Sequence, residues 1–173
     1  GLLYRKQIKW RKSMKTIGFV GSARRNGSTN TEMKKLVAEL SGNDESEIIY
    51  IDEKNIHFCI GCEYCRKNEG CSQHDDMEEL IEKIVDADAV VIGSPVYFGE
   101  ISSLTKVFTD RLYPAYRGGG KSRFKGKKLY LIYSQESSPE WYADVRSVEA
   151  KYLFNFLGFD IQKVYVNGVE VEH

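Results

Sequence analysis

The sequence predicts an α/β fold in which a parallel β-sheet carries helices on both faces. Two observations support this prediction. Five short β-rich runs alternate with segments of helical periodicity, which is the βαβ series of a parallel sheet. The run at 87–93 is apolar on both faces, as central parallel strands are. A ligand of such a sheet is expected at the carboxyl ends of its strands, near the topological switch point.

The predicted elements follow in chain order. Strands are expected at 16–20, 47–51, 87–93, 128–133 and 160–166. Apolar residues at helical spacing predict helices at 31–40, 102–112 and 140–157, the last ended by Gly158. A further helix is expected to be capped by Asp75 and to turn Leu80, Ile81, Ile84 and Val85 inward. Almost nothing follows the last strand, so we expect no closing helix.

Length and charge restrict the class of protein. A chain of 173 residues fits one domain, which we predict over 14–173, and it carries 25 Lys and Arg against 25 Asp and Glu. A nucleic-acid-binding protein is expected to have a basic excess, and a membrane span needs about 18 consecutive apolar residues. The sequence has neither feature. We therefore predict no nucleic-acid partner and no membrane association. The lack of a secretion signal makes a reducing cytoplasm the expected location.

Residues 1–13 are predicted to be an N-terminal extension or a remnant of cloning. They are basic, but they lack the apolar region and cleavage site of a signal peptide, and Met14 opens a segment that leads directly into the first strand. The extension offers one way to cover the face that a closing helix would occupy. Its apolar residues are Leu2, Leu3, Tyr4, Ile8 and Trp10.

The loop after the first predicted strand has the composition of a phosphate-binding turn. Residues 21–30 read Gly-Ser-Ala-Arg-Arg-Asn-Gly-Ser-Thr-Asn and lead into a helix, whose N-terminal N–H groups favour an anion. Neither a Walker loop nor a G-x-G-x-x-G turn is present. A terminal phosphate monoester such as that of FMN is therefore favoured over a plain polar turn. The candidate ligands are Ser22, Arg24, Ser28, Thr29 and Asn30.

The loop after the third predicted strand suits a flat aromatic ligand. Pro95 keeps Ser94 extended, and Gly99 allows the backbone to approach a ligand closely. Tyr97 and Phe98 supply apolar faces, although aromatic loop residues also serve in packing and interfaces. The candidate ring-binding residues are Ser94, Pro95, Val96, Tyr97, Phe98 and Gly99.

All four cysteines fall in a predicted cysteine-rich loop at 57–74. Cys59, Cys62, Cys65 and Cys71 have the spacing C-x2-C-x2-C-x5-C. Clustered thiols in a reducing compartment indicate metal or redox chemistry in preference to disulfides. Zinc sites usually join two separated pairs, whereas successive x2 intervals wrap one side of an iron–sulfur cluster. Free thiols or a disulfide between neighbouring cysteines are the remaining alternative. His57 and His74 beside the loop are ligands, proton donors or ordinary loop histidines.

These segments together resemble the NADPH-dependent FMN reductase family, and within it most closely the iron–sulfur flavoproteins. The resemblance is carried by the loop at 21–30, by Ser-Pro-Val-Tyr-Phe-Gly at 94–99, and by Lys106 with Asp110-Arg111. It implies a flavodoxin-like three-layer αβα sandwich with five parallel strands in the order 2-1-3-4-5. It also implies FMN, a third flavin loop that includes Ser134 and Gln135 and lacks the usual glycines, and a 4Fe-4S cluster on the four thiolates.

The function predicted from this resemblance is electron transfer by an FMN-dependent iron–sulfur flavoprotein. The external donor would be ferredoxin or NAD(P)H, the acceptor a small molecule, and the assembly a homodimer or homotetramer. An NAD(P)H-dependent FMN or quinone reductase without iron is the first alternative. A flavodoxin-like carrier without enzymatic activity, or a zinc-stapled interaction module, is the second. The basic segment at 117–128 is either a rim for an acidic partner or NADPH, or a solvated loop.

Overall fold

The described part of the chain, residues 14–117 and 120–173 of a computed structural model, folds around a seven-stranded sheet. The strands are β1 (Thr16–Val20), β2 (Ser46–Tyr50), β3 (Ala89–Tyr97), β4 (Glu100–Ile101), β5 (Lys128–Ser134), β6 (Asp160–Val166) and β7 (Val169–Val171). The helices are α1 (Ser28–Ser41), α2 (Tyr64–Lys67), α3 (Met77–Asp86), α4 (Ser103–Asp110) and α5 (Ala143–Glu149), the last continued by a π-helical segment, Ala150–Phe154.

The main sheet runs in the order β2-β1-β3-β5-β6-β7. The first five of these strands are parallel to one another, so their carboxyl ends share one edge. This is the predicted 2-1-3-4-5 order, because β5 and β6 are the fourth and fifth parallel strands. The predicted flavodoxin-like class is confirmed.

Successive side chains along each strand point to opposite faces of the sheet, so buried residues form a core on each face. Ile17 and Phe19 of β1 point to the face that α3 and α4 cover, where Phe19 stacks on Phe108 with ring centroids 4.6 Å apart. Val20 points to the opposite face, where α1 packs with Met33 among its buried residues. The buried phenylalanines Phe154 and Phe159, which flank the turn after α5, belong to the first face. Helices therefore lie on both faces, as predicted.

Two strands were missed by the prediction of a five-stranded sheet. β4 returns antiparallel to the end of β3, and β7 forms an antiparallel hairpin with β6. Short two- and three-residue strands carry too few residues to show a period. Asn167 and Gly168 form the turn before β7, and both have positive φ, 50° and 77°. The Asn-Gly pair is a sequence signal for such a hairpin that the prediction did not use.

The predicted helices differ from the observed ones chiefly at their ends. The helix predicted at 140–157 begins only at Ala143, because Tyr142 adopts a left-handed conformation with φ 65°. The helix predicted after Asp75 begins at Met77, whose N–H donates to the Asp75 carboxylate over 3.1 Å. The calls on residues 1–13 lie outside the described residues, as do Gly118 and Gly119 of the basic segment. Within the described residues, we find no helix that is long and apolar enough to cross a bilayer.

Candidate functional site

A cavity of about 720 Å³ opens at the carboxyl ends of β1, β3 and β5. Three loops surround it, each leaving one of these strands, as the switch-point rule predicts. The predicted residues on its wall are Ser22, Arg24, Ser28, Thr29, Pro95, Val96, Tyr97, Phe98, Gly99, Ser134 and Gln135. Its other residues are Gly27, Glu136, Ser137, Tyr142 and Asn167. The structure thus brings together all but two of the predicted FMN-site residues.

The loop after β1 places uncapped backbone N–H groups and a cation at one end of the cavity. Helix α1 begins at Ser28, and its preceding residue, Gly27, supplies no side-chain cap, so the first N–H groups are left for other acceptors. No described residue forms an ion pair with the exposed guanidinium of Arg24. Arg25 beside it is occupied by Asp52 and Glu53, at 3.0 Å and 2.7 Å. Arg24 is therefore the cation of this loop that is open to a ligand.

Asn30 and Ser94 are the two predicted residues that do not line the cavity. Asn30 is buried within α1, where its amide donates to the carbonyl of Arg25 and accepts from the Tyr50 hydroxyl over 2.9 Å. Ser94 lies inside β3 and joins a buried hydroxyl cluster with Ser102 and Thr105. The Ser102 hydroxyl of this cluster donates to the Gly21 carbonyl over 2.6 Å. Both side chains therefore hold the neighbouring segments in place through hydrogen bonds and do not face the cavity.

The loop after β3 projects an aromatic rim. Tyr97 is half exposed, and Phe98 is fully exposed with a positive φ of 52°. Gly99 follows with φ 84°, and a Cβ there would lie 3.0 Å from the Tyr142 ring. A side chain at position 99 would therefore clash with Tyr142, which explains the glycine. Strained backbone at a non-glycine residue concentrates at ligand-binding sites, and Phe98 and Tyr142 both carry it here.

The loop after β5 closes the third side of the cavity. The hydroxyl of Thr29 in α1 donates to that of Ser134 over 3.1 Å, which joins the first and third loops. The backbone N–H of Gln135 donates to the side chain of Asn167 over 2.8 Å. Asn167 comes from the β6–β7 turn, which the sequence analysis did not assign to the site. The Asn-Gly pair favours a turn at this point, but only the sheet order places that turn beside β5.

The four cysteines lie in the segment between the short helix Ile51–Glu53 and α3, where Cys65 is part of α2, and all are free thiols. Cys59, Cys65 and Cys71 line one cavity of about 380 Å³ with Arg111. A hydrogen bond with Ser72 lowers the pKa of the exposed Cys62 thiol, and burial raises the pKa of Cys65. Among the described residues, no three His, Cys, Asp or Glu side chains lie close enough together to hold a metal ion.

Arg111 is buried behind this loop. Asp110 and Arg111 are adjacent in the sequence, but Asp110 pairs with Lys106 and Arg111 pairs with Asp75. Neighbouring residues on a helix point in different directions, so Asp110 cannot reach Arg111 as its partner. The Nε of Arg111 has no hydrogen-bond partner among the described residues, and Arg111 and Cys71 share the cavity wall.

The basic segment after Arg117 is partly neutralised by acidic residues. Arg123 forms a bidentate pair with Glu82 at 2.7 Å, and Arg117 lies 3.7 Å from Glu69. The ammonium of Lys127 donates to the carbonyl of Ala87 over 2.8 Å. These contacts reduce the positive charge that the segment offers to a partner.

Comparisons with known proteins agree with this geometry. An iron-sulfur flavoprotein of Archaeoglobus fulgidus is 34% identical over 130 residues, which cover 73% of this chain and 58% of that protein. An iron-sulfur flavoprotein of Methanocaldococcus jannaschii is 36% identical over 102 residues, covering 58% of this chain and 53% of that protein. The chain therefore spans somewhat more than half the length of these two relatives.

Solved structures show the same fold at lower identity. An NAD(P)H:quinone oxidoreductase from Methanothermobacter marburgensis aligns with a TM-score of 0.72 at 20% identity, covering 91% of this chain and 85% of that one. The family model described as NADPH-dependent FMN reductase matches residues 14–146, well over half of the chain. The chain therefore belongs to the NADPH-dependent FMN reductase family.

Proposed function

We propose that this chain binds FMN in the three-loop cavity and acts as a flavin-dependent oxidoreductase. In the finer form of the proposal, it is an electron-transfer iron–sulfur flavoprotein that passes electrons from ferredoxin or NAD(P)H to a small acceptor. The observation that carries the proposal is the convergence of an anion-binding end and an aromatic end on one cavity of about 720 Å³. Family membership supports FMN as the ligand.

The phosphate of FMN would be held by the loop after β1. The uncapped start of α1 offers N–H groups and the positive end of the helix dipole. Arg24 adds a full charge, and the hydroxyls of Ser22, Ser28 and Thr29 add short hydrogen-bonding groups. Asn30 is part of the proposal only through its support of this loop, because its amide is already satisfied by Arg25 and Tyr50.

The ring of FMN would lie between the loops after β3 and β5. Pro95, Val96 and Gly99 form one wall, and Ser134 and Gln135 belong to the other. The side-chain Oε1 of Gln135 is buried and has no partner among the described residues. An orphaned acceptor on the wall fits a ligand that brings its own donor. Ser94 would act from behind, through the hydroxyl cluster that fixes the end of β3.

The four thiols would hold a 4Fe-4S cluster in a reducing compartment. The support is the compact spacing, the naming of the relatives as iron-sulfur flavoproteins, and the cavity that three of the thiols share. The left-handed conformations of Gly61 and Gly70, at φ 65° and 76°, permit the tight turns that wrap such a group. A cluster takes its thiolates at separate corners, so it does not require three ligands around one ion, whereas zinc does.

The chain's own residues would bind and orient the cofactors. When bound, FMN supplies one- and two-electron redox chemistry. The cavity walls fix its position, and the aromatic rim at Tyr97, Phe98 and Tyr142 limits the access of water and shapes the entrance for an acceptor. We assign no side chain as a general acid or base.

The test is an FMN titration followed by spectroscopy on anaerobically purified protein. Quenching of flavin fluorescence at a one-to-one ratio supports the flavin site, and absence of binding at saturating FMN overturns it. Iron and acid-labile sulfide together with broad absorbance near 400 nm support the cluster. Light scattering of the same sample tests the proposed homodimer or homotetramer, which the exposed Tyr152 and Phe156 support.

An FMN-dependent NAD(P)H:FMN or quinone reductase without iron is the second candidate. The observation that favours it is the match of residues 14–146 to the family model described as NADPH-dependent FMN reductase. Flavin without iron in the anaerobic sample, together with turnover of NADPH and a quinone, would select this candidate. Iron with sulfide would select the first. Flavin binding without turnover would select a carrier.

A further inference from the structure

We propose that Asn167 is a positioning residue for the ring end of the cavity, and that it acts through Gln135. This inference rests on the proposed binding of FMN. It concerns a residue that lies beyond the family match, which ends at residue 146. The C-terminal hairpin would thereby complete a site whose other walls come from the matched part of the chain.

The β6–β7 turn brings Asn167 to the cavity. β6 is parallel to β5, so its carboxyl end lies at the same edge of the sheet as the three loops. A two-residue turn with positive φ at both Asn167 and Gly168 then reverses the chain. The backbone N–H of Asn167 donates to the carbonyl of Tyr133 over 2.9 Å, which ties the turn to the end of β5.

The Asn167 side chain uses both of its polar atoms on the loop after β5. Its Oδ1 accepts from the backbone N–H of Gln135 over 2.8 Å, and its Nδ2 donates to the carbonyl of Ser137 over 3.2 Å. A carboxamide can accept from one backbone group and donate to another at the same time, whereas a carboxylate can only accept. The loop lacks glycines that would shape it locally, so this bridge supplies the constraint from outside.

Gln135 transmits the constraint to the cavity. Its Nε2 donates to the carbonyl of Ser138 over 2.8 Å and to the hydroxyl of Ser137 over 3.1 Å. These bonds fix the carboxamide of a residue on the cavity wall, and its buried Oε1 has no hydrogen-bond partner among the described residues. Oxidised flavin carries a single ring N–H, the imide of its pyrimidine ring, and that donor suits a fixed acceptor. Asn167 is thus placed to set where the acceptor lies.

The variant that isolates this role is Asn167→Gly. Glycine keeps the left-handed turn but removes both side-chain hydrogen bonds. We expect the Kd for FMN to rise about tenfold, as for the loss of one or two net hydrogen bonds. N3-methyl-FMN lacks the imide donor, so wild-type protein is expected to bind it more weakly than FMN. Asn167→Gly is expected to lose most of that preference.

The matched control is Glu170→Gln on the same hairpin. It weakens the 2.7 Å ion pair of Glu170 with Lys163 and does not touch the cavity. Its Kd for FMN and its preference over N3-methyl-FMN should equal those of the wild type. This control separates an effect of hairpin stability from an effect of the Asn167 carboxamide.

The outcomes distinguish a failure of the inference from a failure of the proposed function. If wild-type protein binds FMN and Asn167→Gly binds it within twofold with an unchanged preference, the inference is wrong and the flavin site stands. If Asn167→Gly loses FMN and N3-methyl-FMN by the same factor, Asn167 is only structural and the inference is wrong. If wild-type protein binds no FMN, both proposals fail.

Discussion

Arg111 and Asp75 form a bidentate ion pair that is almost completely withdrawn from water. The two nitrogen-to-oxygen distances are 2.7 Å and 3.0 Å, and the side chains are 2% and 0% exposed. Asp75 also accepts from the backbone N–H groups of His57 and Met77, at 3.0 Å and 3.1 Å. The pair therefore connects the start of the cysteine-rich loop to α3, the helix that follows it. It holds in place both ends of the segment that carries the four thiols.

We predict that Arg111→Met lowers the free energy of unfolding by about 3–5 kcal/mol, because it leaves the Asp75 carboxylate buried and unpaired. Urea denaturation of the protein without cofactors measures this. Lys106→Met is the control, since Lys106 and Asp110 form an exposed pair on α4 that contributes about 0.5 kcal/mol or less. Equal losses in the two variants would contradict the role of burial.

We also predict an acid-sensitive contribution from the same pair. Burial by itself raises the pKa of Asp75, but hydrogen bonds from Arg111 and from the backbone of His57 and Met77 outweigh it and leave the pKa below its usual value. A carboxyl with a lowered folded-state pKa stabilises the protein above its unfolded pKa of about 4, and the contribution is lost as pH falls through the folded value.

The measurement is the urea midpoint between pH 7 and pH 2 in wild-type protein and in the double variant Asp75→Asn, Arg111→Met. The double variant removes the titrating carboxyl together with its charged partner. We expect it to lose less stability than the wild type as the pH falls below about 4. Parallel curves for the two proteins would contradict this assignment.

The regular parts of the fold could be predicted from the sequence because their periodicity is local. β1 and β6 begin and end where their apolar patterns do, and the parallel direction of the strands follows from the alternation of strands and helices. The strand order came from the family resemblance. The π-helical segment at Ala150–Phe154 and the left-handed Tyr142 could not be predicted, because tertiary packing fixes them. Tyr142 packs against Gly99, which lies in another loop.

The candidate site was predictable loop by loop but not in its details. Alternation in β3 turns Ser94 away from the cavity and Pro95 into it, and only the observed extension of the strand shows this. Asn30 was predicted as a cofactor-binding residue because its loop is polar, yet its side-chain oxygen already accepts a hydrogen bond from the Tyr50 hydroxyl of β2. Asn167 lies at the site because of the order of strands in the sheet. The residue pattern near position 167 does not show which strands are neighbours.

Gly21→Ala tests how closely the loop after β1 packs on α4. A Cβ at position 21 would lie 1.7 Å from the Thr105 hydroxyl and 3.2 Å from the carbonyl of Gly93, and both neighbours are held in hydrogen bonds. We predict a loss of about 3 kcal/mol or more in the free energy of unfolding. The double variant Gly21→Ala, Thr105→Ala should lose less than the sum of the two single variants, because the clash with the hydroxyl is removed. Additive losses would show that the clash is not the cause.

Arg24→Gln tests the phosphate end of the cavity against its neighbour Arg25→Gln. Arg24 is open to a ligand, whereas Arg25 is held by Asp52 and Glu53 and lies over the Tyr50 ring at 4.1 Å. We expect Arg24→Gln to raise the Kd for FMN about tenfold or more and to leave riboflavin binding unchanged, because riboflavin lacks the phosphate. Arg25→Gln should change neither by more than about twofold. A larger effect of Arg25→Gln on FMN that riboflavin does not share would assign the phosphate to Arg25 in place of Arg24. A loss shared by riboflavin would reflect the contacts of Arg25 with the carbonyls of Ser22 and Ala23 in this loop.

Cys71→Ser tests whether the cysteine-rich loop and the flavin cavity are separate sites. No cysteine is among the residues that line the three-loop cavity, so the variant should bind FMN with unchanged affinity. We expect it to lose most of the iron and sulfide measured in anaerobically purified wild-type protein, because a cluster held by four thiolates loses one ligand.

His74→Gln is the matched control for Cys71→Ser. His74 and Cys71 line the same neighbouring cavity, and only the thiol is proposed as a ligand. It should keep its iron. Iron retained in Cys71→Ser but lost in His74→Gln would assign the imidazole in place of the thiol. Iron at wild-type levels in both variants would place it outside this loop. An iron-free wild type that still binds FMN would leave the flavin cavity standing and select the reductase without a cluster.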